Sequence, residues 1–247
     1  MFKEPKDGYY LSSKLSRSGD LIHGFATKKF GDLRANYSPA NYKKTQNFLK
    51  LLGLKAENLI LMQQVHGCRS LLVEHHQKGK VIPGIDGMIT TEKQIVLGVG
   101  TADCLPVLLY GPEKKIIAIA HAGWKGVLGG IVATLVKKII RLGVKPENII
   151  VAIGPHIGPC CYYIWPERAP LFRKKFGDLP GMITKRENKF YLDLAIPVLF
   201  QLENAGVKKG NIDISYDCTF HQSARYYSFR RDGKITGEML SVISLNN

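Results

Sequence analysis

The sequence predicts a mixed, layered α/β fold, and three observations carry that expectation. Several short β-rich runs stand out, 21–27, 59–63, 95–101, 107–110, 116–121 and 149–153, and many of them are apolar on both faces. Strands of that kind belong to covered sheets rather than to a sheet with one wet face. Helical stretches are mixed with these runs, but not in a regular strand–helix–strand rhythm. Gly98 and Gly100, ahead of Cys104, do not make the spaced glycine fingerprint of a dinucleotide-binding turn, so the chain is not expected to form a Rossmann fold.

The helices follow from spacing and end signals. Residues 41–54 place Phe48, Leu51 and Leu52 on one face. Residues 127–142 do the same with Ile131, Leu135, Ile139 and Leu142, and Gly143 is placed to end the helix. A further helix is expected over 166–176. Residues 193–205 make the last, with Asp193 as N-cap and Gly206 after the end. Late strands are expected over 212–215 and 240–244.

A chain of 247 residues with 45% hydrophobic content can bury a large core. It carries no repeat and no linker, so one domain over 1–247 is expected. The opening Met1-Phe2-Lys3-Glu4-Pro5-Lys6-Asp7 has acids and no apolar core, which predicts no export leader and a cytoplasmic protein. The apolar runs are too short to span a membrane. Five cysteines cannot all pair internally, which agrees with reduced thiols. The net charge of +15 favours anionic partners. The basic residues are scattered, as in Lys114-Lys115 and Lys137-Lys138, with no basic tail and no nucleic-acid motif. A solvated basic surface is the expectation, and a basic nucleic-acid-binding domain is the non-enzymatic alternative.

Three short segments carry chemistry. They read Gln64-Val65-His66-Gly67, Thr101-Ala102-Asp103-Cys104-Leu105-Pro106 and His121-Ala122-Gly123-Trp124-Lys125-Gly126. Each follows or ends a β-rich run, and strand ends are rigid supports for side chains that must converge. Two imidazoles and a thiolate suit zinc or copper better than magnesium or calcium, and leave a coordination position open. The long spacings are not those of a zinc finger. The same residues admit two other readings: a buried small thiol with two packed histidines, or a Cys104 nucleophile with His121 as base and Asp103 or Asp86 as orienting acid.

In order along the chain stand His23-Gly24-Phe25-Ala26-Thr27, Gln63-Gln64-Val65-His66-Gly67, Asp86-Gly87-Met88-Ile89-Thr90 and the Cys104 and His121 segments. Gly154-Pro155-His156-Ile157-Gly158-Pro159-Cys160-Cys161-Tyr162 and Phe229-Arg230-Arg231-Asp232-Gly233 follow. This series resembles the laccase-domain, or polyphenol oxidoreductase, family, several of whose members are purine nucleoside phosphorylases. The resemblance covers nearly all of the chain from His23. It implies two packed mixed sheets with helices outside, and His66, Cys104 and His121 as metal ligands. It also implies zinc-dependent phosphorolysis of adenosine, inosine, guanosine and methylthioadenosine, with adenosine deamination as a second activity. The chain departs from the family pattern at Lys28 to Leu33, Lys125, Tyr163 and Glu238, which concerns the substrate pocket and spares the ligands.

Beyond the ligands, Cys104, His121 and Asp103 are the expected catalytic group, with Asp103 orienting a ligand or carrying a proton. Arg230, Arg231 and Lys125 are the expected phosphate and substrate binders, although the arginine pair could equally form a β-turn. The 154–161 segment is a shaped loop, and Cys160 and Cys161 are expected to be packing thiols. The expected partners are purine nucleosides and phosphate, in a monomer or homodimer. Copper could occupy the zinc site, because it binds such donors more tightly. A copper-dependent phenol oxidase fits poorly, since there are seven histidines and no His-x-His pair. A metal-free Cys-His hydrolase or amidase, of the kind that edits cell-wall precursors, is the alternative enzyme.

Overall fold

The computed structural model describes residues 2, 3, 8–34 and 39–246. Apart from Phe2 and Lys3, the opening segment considered above for export lies outside them. Among the described residues two large sheets pack face to face. The first runs Phe2–Lys3, Tyr9–Ser12, Leu21–Ala26, Met239–Leu245, Val96–Thr101, Leu59–Gln63 and Val81–Pro83 from edge to edge. The second runs Ile212–Ile214, Ile150–Ile153, Leu105–Gly111, Ile116–Ala122, Gly87–Thr90 and Ser70–Leu72. Both are mixed: Leu59–Gln63 is parallel to both its neighbours, while Met239–Leu245 is antiparallel to both of its own.

The alternation of side chains separates the layers. In Leu105–Gly111, Leu108 and Tyr110 face the first sheet, with Ile117 and Ile119 beside them from the neighbouring strand. Phe25, Leu97, Val99 and Ile243 meet them from the first sheet. The odd-numbered Val107 and Leu109, with Ala118 and Ala120, face the other way, onto the helices Ile131–Arg141 and Ala195–Asn204. Phe48 and Leu49 of helix Pro39–Leu51 cover the outer face of the first sheet at Leu61, Val96 and Val242. These strands therefore bury both faces, which is why their sequences are apolar at consecutive positions. Leu108 and Ile119 are fully buried, and truncating either to Ala costs about 2–5 kcal/mol.

The expected architecture is present, with local corrections. The helix anticipated over 127–142 is two pieces, Trp124–Gly129 and Ile131–Arg141. Gly130 separates them at φ 84°, a left-handed conformation that glycine adopts without strain. The Arg230-Arg231 pair lies in a short helix, Phe229–Asp232, rather than a β-turn, and the Ser228 hydroxyl caps it by accepting from the Arg231 amide. A small third sheet, Tyr163–Ile164, Lys189–Leu192 and Ile183–Arg186, lies outside the sequence expectations. Among the described residues no helix is long and apolar enough to cross a membrane.

Candidate active site

Short crossings join the two sheets, and one of them carries Cys104. Val96–Thr101 belongs to the first sheet and Leu105–Gly111 to the second, so Ala102, Asp103 and Cys104 bridge them. Leu105 pairs with Ala122 and Pro106 with His121, which sets Cys104 one step beyond the ladder, beside His121. Leu59–Gln63 brings the loop bearing His66 from the first sheet to the same place. The ligand atoms of His66, Cys104 and His121 all lie within 4.8 Å of one another. The two imidazole rings are 4.6 Å apart between centroids and nearly perpendicular.

Gly123 explains the glycine of the His-Ala-Gly segment. A Cβ there would sit 2.8 Å from a His66 ring carbon and 3.1 Å from the Cys104 sulfur. A side chain would occupy the space between the ligands.

Asp86 organises the cluster from behind. It is fully buried and accepts His121 Nδ1 at 2.8 Å. The same carboxylate accepts the amides of Val65, His66 and Gly67 at 3.2, 2.9 and 2.7 Å. One buried charge thus orients one ligand ring and folds the loop that carries another, with His66 held at φ 58°. Burial alone would raise the Asp86 carboxyl, but His121 and the amide donors outweigh it and hold it below the usual range. Gln64 adds a second clasp: its amide donates to the Gly100 carbonyl at 2.9 Å and accepts the Gly100 amide at 3.1 Å.

The ligands are electrostatically prepared. Burial pushes the Cys104 thiol up, but the His121 and His66 imidazoles outweigh this and bring it down to about 7. Burial pulls His121 down, and the Cys104 thiolate with the Asp86 carboxylate more than reverses that, so His121 is raised. With Asp86 ionised, Nδ1 of His121 carries the proton, and Nε2 is left for the cluster. One thiolate and two imidazoles around a space kept open by Gly123 fit a tetrahedral transition metal of zinc's class.

The cluster lines a cavity of about 540 Å³. Trp124, Tyr162, Tyr163, Trp165 and Phe229 supply aromatic walls, and Arg168 and Arg230 supply charge. The Arg168 guanidinium lies 4.4 Å from the Trp124 ring centre, and that of Arg230 lies 4.4 Å from Tyr163 and 5.1 Å from Tyr162. Arg230 also donates to the Tyr163 carbonyl at 2.8 Å. Trp165 and Phe229 are more than half exposed at the mouth.

The remaining residues singled out in the sequence divide. Asp103 lines the cavity, but one of its carboxylate oxygens accepts the Thr219 hydroxyl at 2.6 Å and the other the Arg230 amide at 2.7 Å. It fastens the 219–230 segment beside Cys104, from a backbone held at φ 94°. Arg231 does not line the cavity. Its guanidinium donates to the carbonyls of Thr219, Phe220 and Tyr226 and pairs with Asp232. Lys125 is exposed, with its ammonium 5.6 Å from the outer Trp124 ring, and does not line the cavity either.

Sequence reasoning missed Arg168, Trp165 and the wall role of Glu238. The run Tyr162-Tyr163-Ile164-Trp165 followed by Arg168 carries a signal, because aromatics that stay at the surface beside a cation mark a binding wall. Glu238 was visible only as a departure from a family pattern. Burial raises its carboxyl above the usual range, and it lines the cavity together with His66.

The family model described as multi-copper polyphenol oxidoreductase laccase matches residues 25–246. A protein of Deinococcus radiodurans named purine nucleoside phosphorylase is 39% identical over 194 residues, covering 78% of this chain and 73% of that protein. A prokaryotic protein named adenosine deaminase RL5, of unknown organism, is 29% identical over 78% of this chain and 77% of its own length. The crystal structure of YlmD from Geobacillus stearothermophilus superposes with a TM-score of 0.92 at 28% identity, over 100% of this chain and 99% of that one.

Proposed function

The chain belongs to the multi-copper polyphenol oxidoreductase laccase family, and we propose that it is a one-domain, zinc-dependent purine nucleoside phosphorylase with adenosine deaminase activity. The observation that carries this is the position of His66, Cys104 and His121 on the wall of an aromatic cavity bearing two arginines. A volume of about 540 Å³ suits a nucleoside with phosphate beside it. Relatives named for both activities support the substrate class.

His66, Cys104 and His121 would hold zinc, which supplies Lewis acidity when bound. Trp124, Tyr162 and Tyr163 offer faces on which a purine stacks. Arg168 and Arg230 offer forked donors for phosphate. In phosphorolysis a phosphate oxygen bonds to C1′ of the ribose as the bond from C1′ to N9 breaks, and the purine leaves with a proton. Glu238, whose burial makes it keep its proton to higher pH, is the carboxyl we assign to that delivery. Asp103 is a positioning residue, holding Cys104 and Arg230 in register through its two occupied oxygens.

The depressed Cys104 thiol beside His121 favours one second reading, a metal-free Cys-His hydrolase or amidase. Cys104→Ala decides between the two. Zinc content and release of ribose 1-phosphate from inosine are expected to fall together, with Cys104→Ser binding zinc weakly. Wild type stripped of zinc that still turns over its substrate, with that turnover lost in Cys104→Ala, is the result expected of a thiol nucleophile instead.

A further inference from the structure

We propose that Cys160, Cys161, Cys218 and His221 form a second, structural metal site for a thiophilic d¹⁰ cation, with zinc as the ion tested. Their ligand atoms all lie within 4.8 Å of one another. The site is separate from the His66–Cys104–His121 cluster and shares no residue with it.

Three observations support it. The first is the donor set: three thiols and one imidazole in one place make the Cys₃His composition of closed structural zinc sites. The second is distance. The Cys160 sulfur lies 3.5 Å from His221 Nδ1, and the Cys161 sulfur lies 3.3 Å from Nε2. Sulfur and nitrogen on one edge of a zinc tetrahedron are about 3.6 Å apart, given ordinary zinc–ligand lengths. One ring nitrogen binds the ion, so one of these two contacts is an edge of the tetrahedron, and the exposed imidazole turns to bring the other sulfur to the same nitrogen. The third is the frame beneath. The Gly158 amide donates to the Cys218 sulfur at 3.3 Å, which fixes where that side chain points. His156 and Cys218 form a bridge between their segments, and the Thr219 amide donates to the His156 carbonyl at 3.1 Å. Both halves of the donor set are therefore held by paired backbone before any ion arrives.

The expectation of packing thiols fits Cys161, which is partly buried against the core cluster that holds buried Cys218, and not Cys160, which is exposed. Binding takes up one Zn²⁺ and releases the protons of the thiols that ligate it, with no change of oxidation state. The ion would tie the loop that places Tyr162 and Tyr163 on the cavity wall to the segment that places Thr219 against Asp103.

The test uses the full chain, prepared with zinc under reducing conditions and desalted. Zinc per chain is expected to be two for the wild type and one for His221→Ala, for Cys161→Ser and for Cys104→Ser. His221→Cys is expected to restore two, because a thiolate can take the fourth position. Cobalt loaded into Cys104→Ser is expected to give the intense visible bands of a tetrahedral ion, with strong thiolate charge transfer, and adding His221→Ala is expected to remove them. His221 is exposed, so its substitution tests the site even if buried Cys218 cannot be replaced without unfolding. One zinc per chain in the wild type, unchanged by His221→Ala, would overturn the proposal, as would a disulfide among these cysteines in zinc-loaded protein. Nucleoside turnover does not enter the readout, so this site can fail or hold independently of the proposed activity.

Discussion

Asp86 accepts the Nδ1 proton of His121 at 2.8 Å and the amide of His66 at 2.9 Å through the same oxygen. A single buried atom therefore sets both histidines of the ligand cluster. Asp86→Asn keeps the size and removes the charge, and it places an amide hydrogen against donors. Metal affinity is expected to fall about 10–100-fold, measured by competition with a chelator of known strength. Unchanged affinity would mean that backbone alone positions His66 and His121.

Arg168 and Arg230 face the cavity, whereas Lys125 and Arg231 do not. Arg168→Ala and Arg230→Ala are each expected to raise the phosphate KM by about tenfold, the cost of losing one charge-assisted contact. Adenosine deamination needs water rather than phosphate and is expected to lose less. Lys125→Ala is expected to change neither reaction. Arg231→Ala leaves three carbonyls without their donor and is expected to cost about 3 kcal/mol of stability, seen as a lower urea midpoint. Equal loss of both reactions in Arg230→Ala would move that residue from phosphate to nucleoside binding.

Asp103 separates positioning from proton transfer. Asn is similar in shape and tolerates a positive φ. Its oxygen can keep the Arg230 amide, and its NH₂ can donate to the Thr219 hydroxyl, whose proton rotates away. Asp103→Asn is expected to retain zinc and lose less than about tenfold in kcat, while Asp103→Ala loses stability and turnover together. A loss above about a thousandfold in Asp103→Asn, with the thermal midpoint unchanged, would make Asp103 a proton carrier.

Acid sensitivity is built in at His23. It is buried in the first sheet, where its Nε2 accepts the Ser12 amide at 2.8 Å. Burial holds its pKa down to about 4, against the ordinary 6.5. The unfolded chain therefore takes up the proton first as pH falls. The stability tied to neutral His23 is complete above pH 6.5 and is lost as pH drops from there through 4. Between pH 7.5 and pH 5 the loss is about 2 kcal/mol. His156, also lowered by burial, adds to the same trend. Urea unfolding at the two pH values is expected to show a smaller drop for His23→Gln, which keeps an acceptor but cannot titrate. The same drop in both proteins would assign the sensitivity elsewhere.

The sequence by itself determined the class of the fold, because runs such as 107–110 and 116–120 are hydrophobic at consecutive positions and are covered on both sides. It also singled out His66, Cys104 and His121 as candidate ligands, through donor types that suit a transition metal and through the family resemblance of the segments around them. Tertiary structure decided what depends on distance between remote segments. Asp86 is chosen over Asp103 as the orienting acid by which carboxylate reaches His121. Arg230 and Arg231 are neighbours in sequence, yet successive side chains on a helical turn point different ways, so one reaches the cavity and the other locks three carbonyls. Cys160 and Cys161 look like packing thiols in the chain, and only the fold brings Cys218 and His221, some sixty residues on, to meet them. Side-chain chemistry is written in the residue types, whereas the partners of each group are fixed by sheet register and loop closure, which couple positions far apart along the chain.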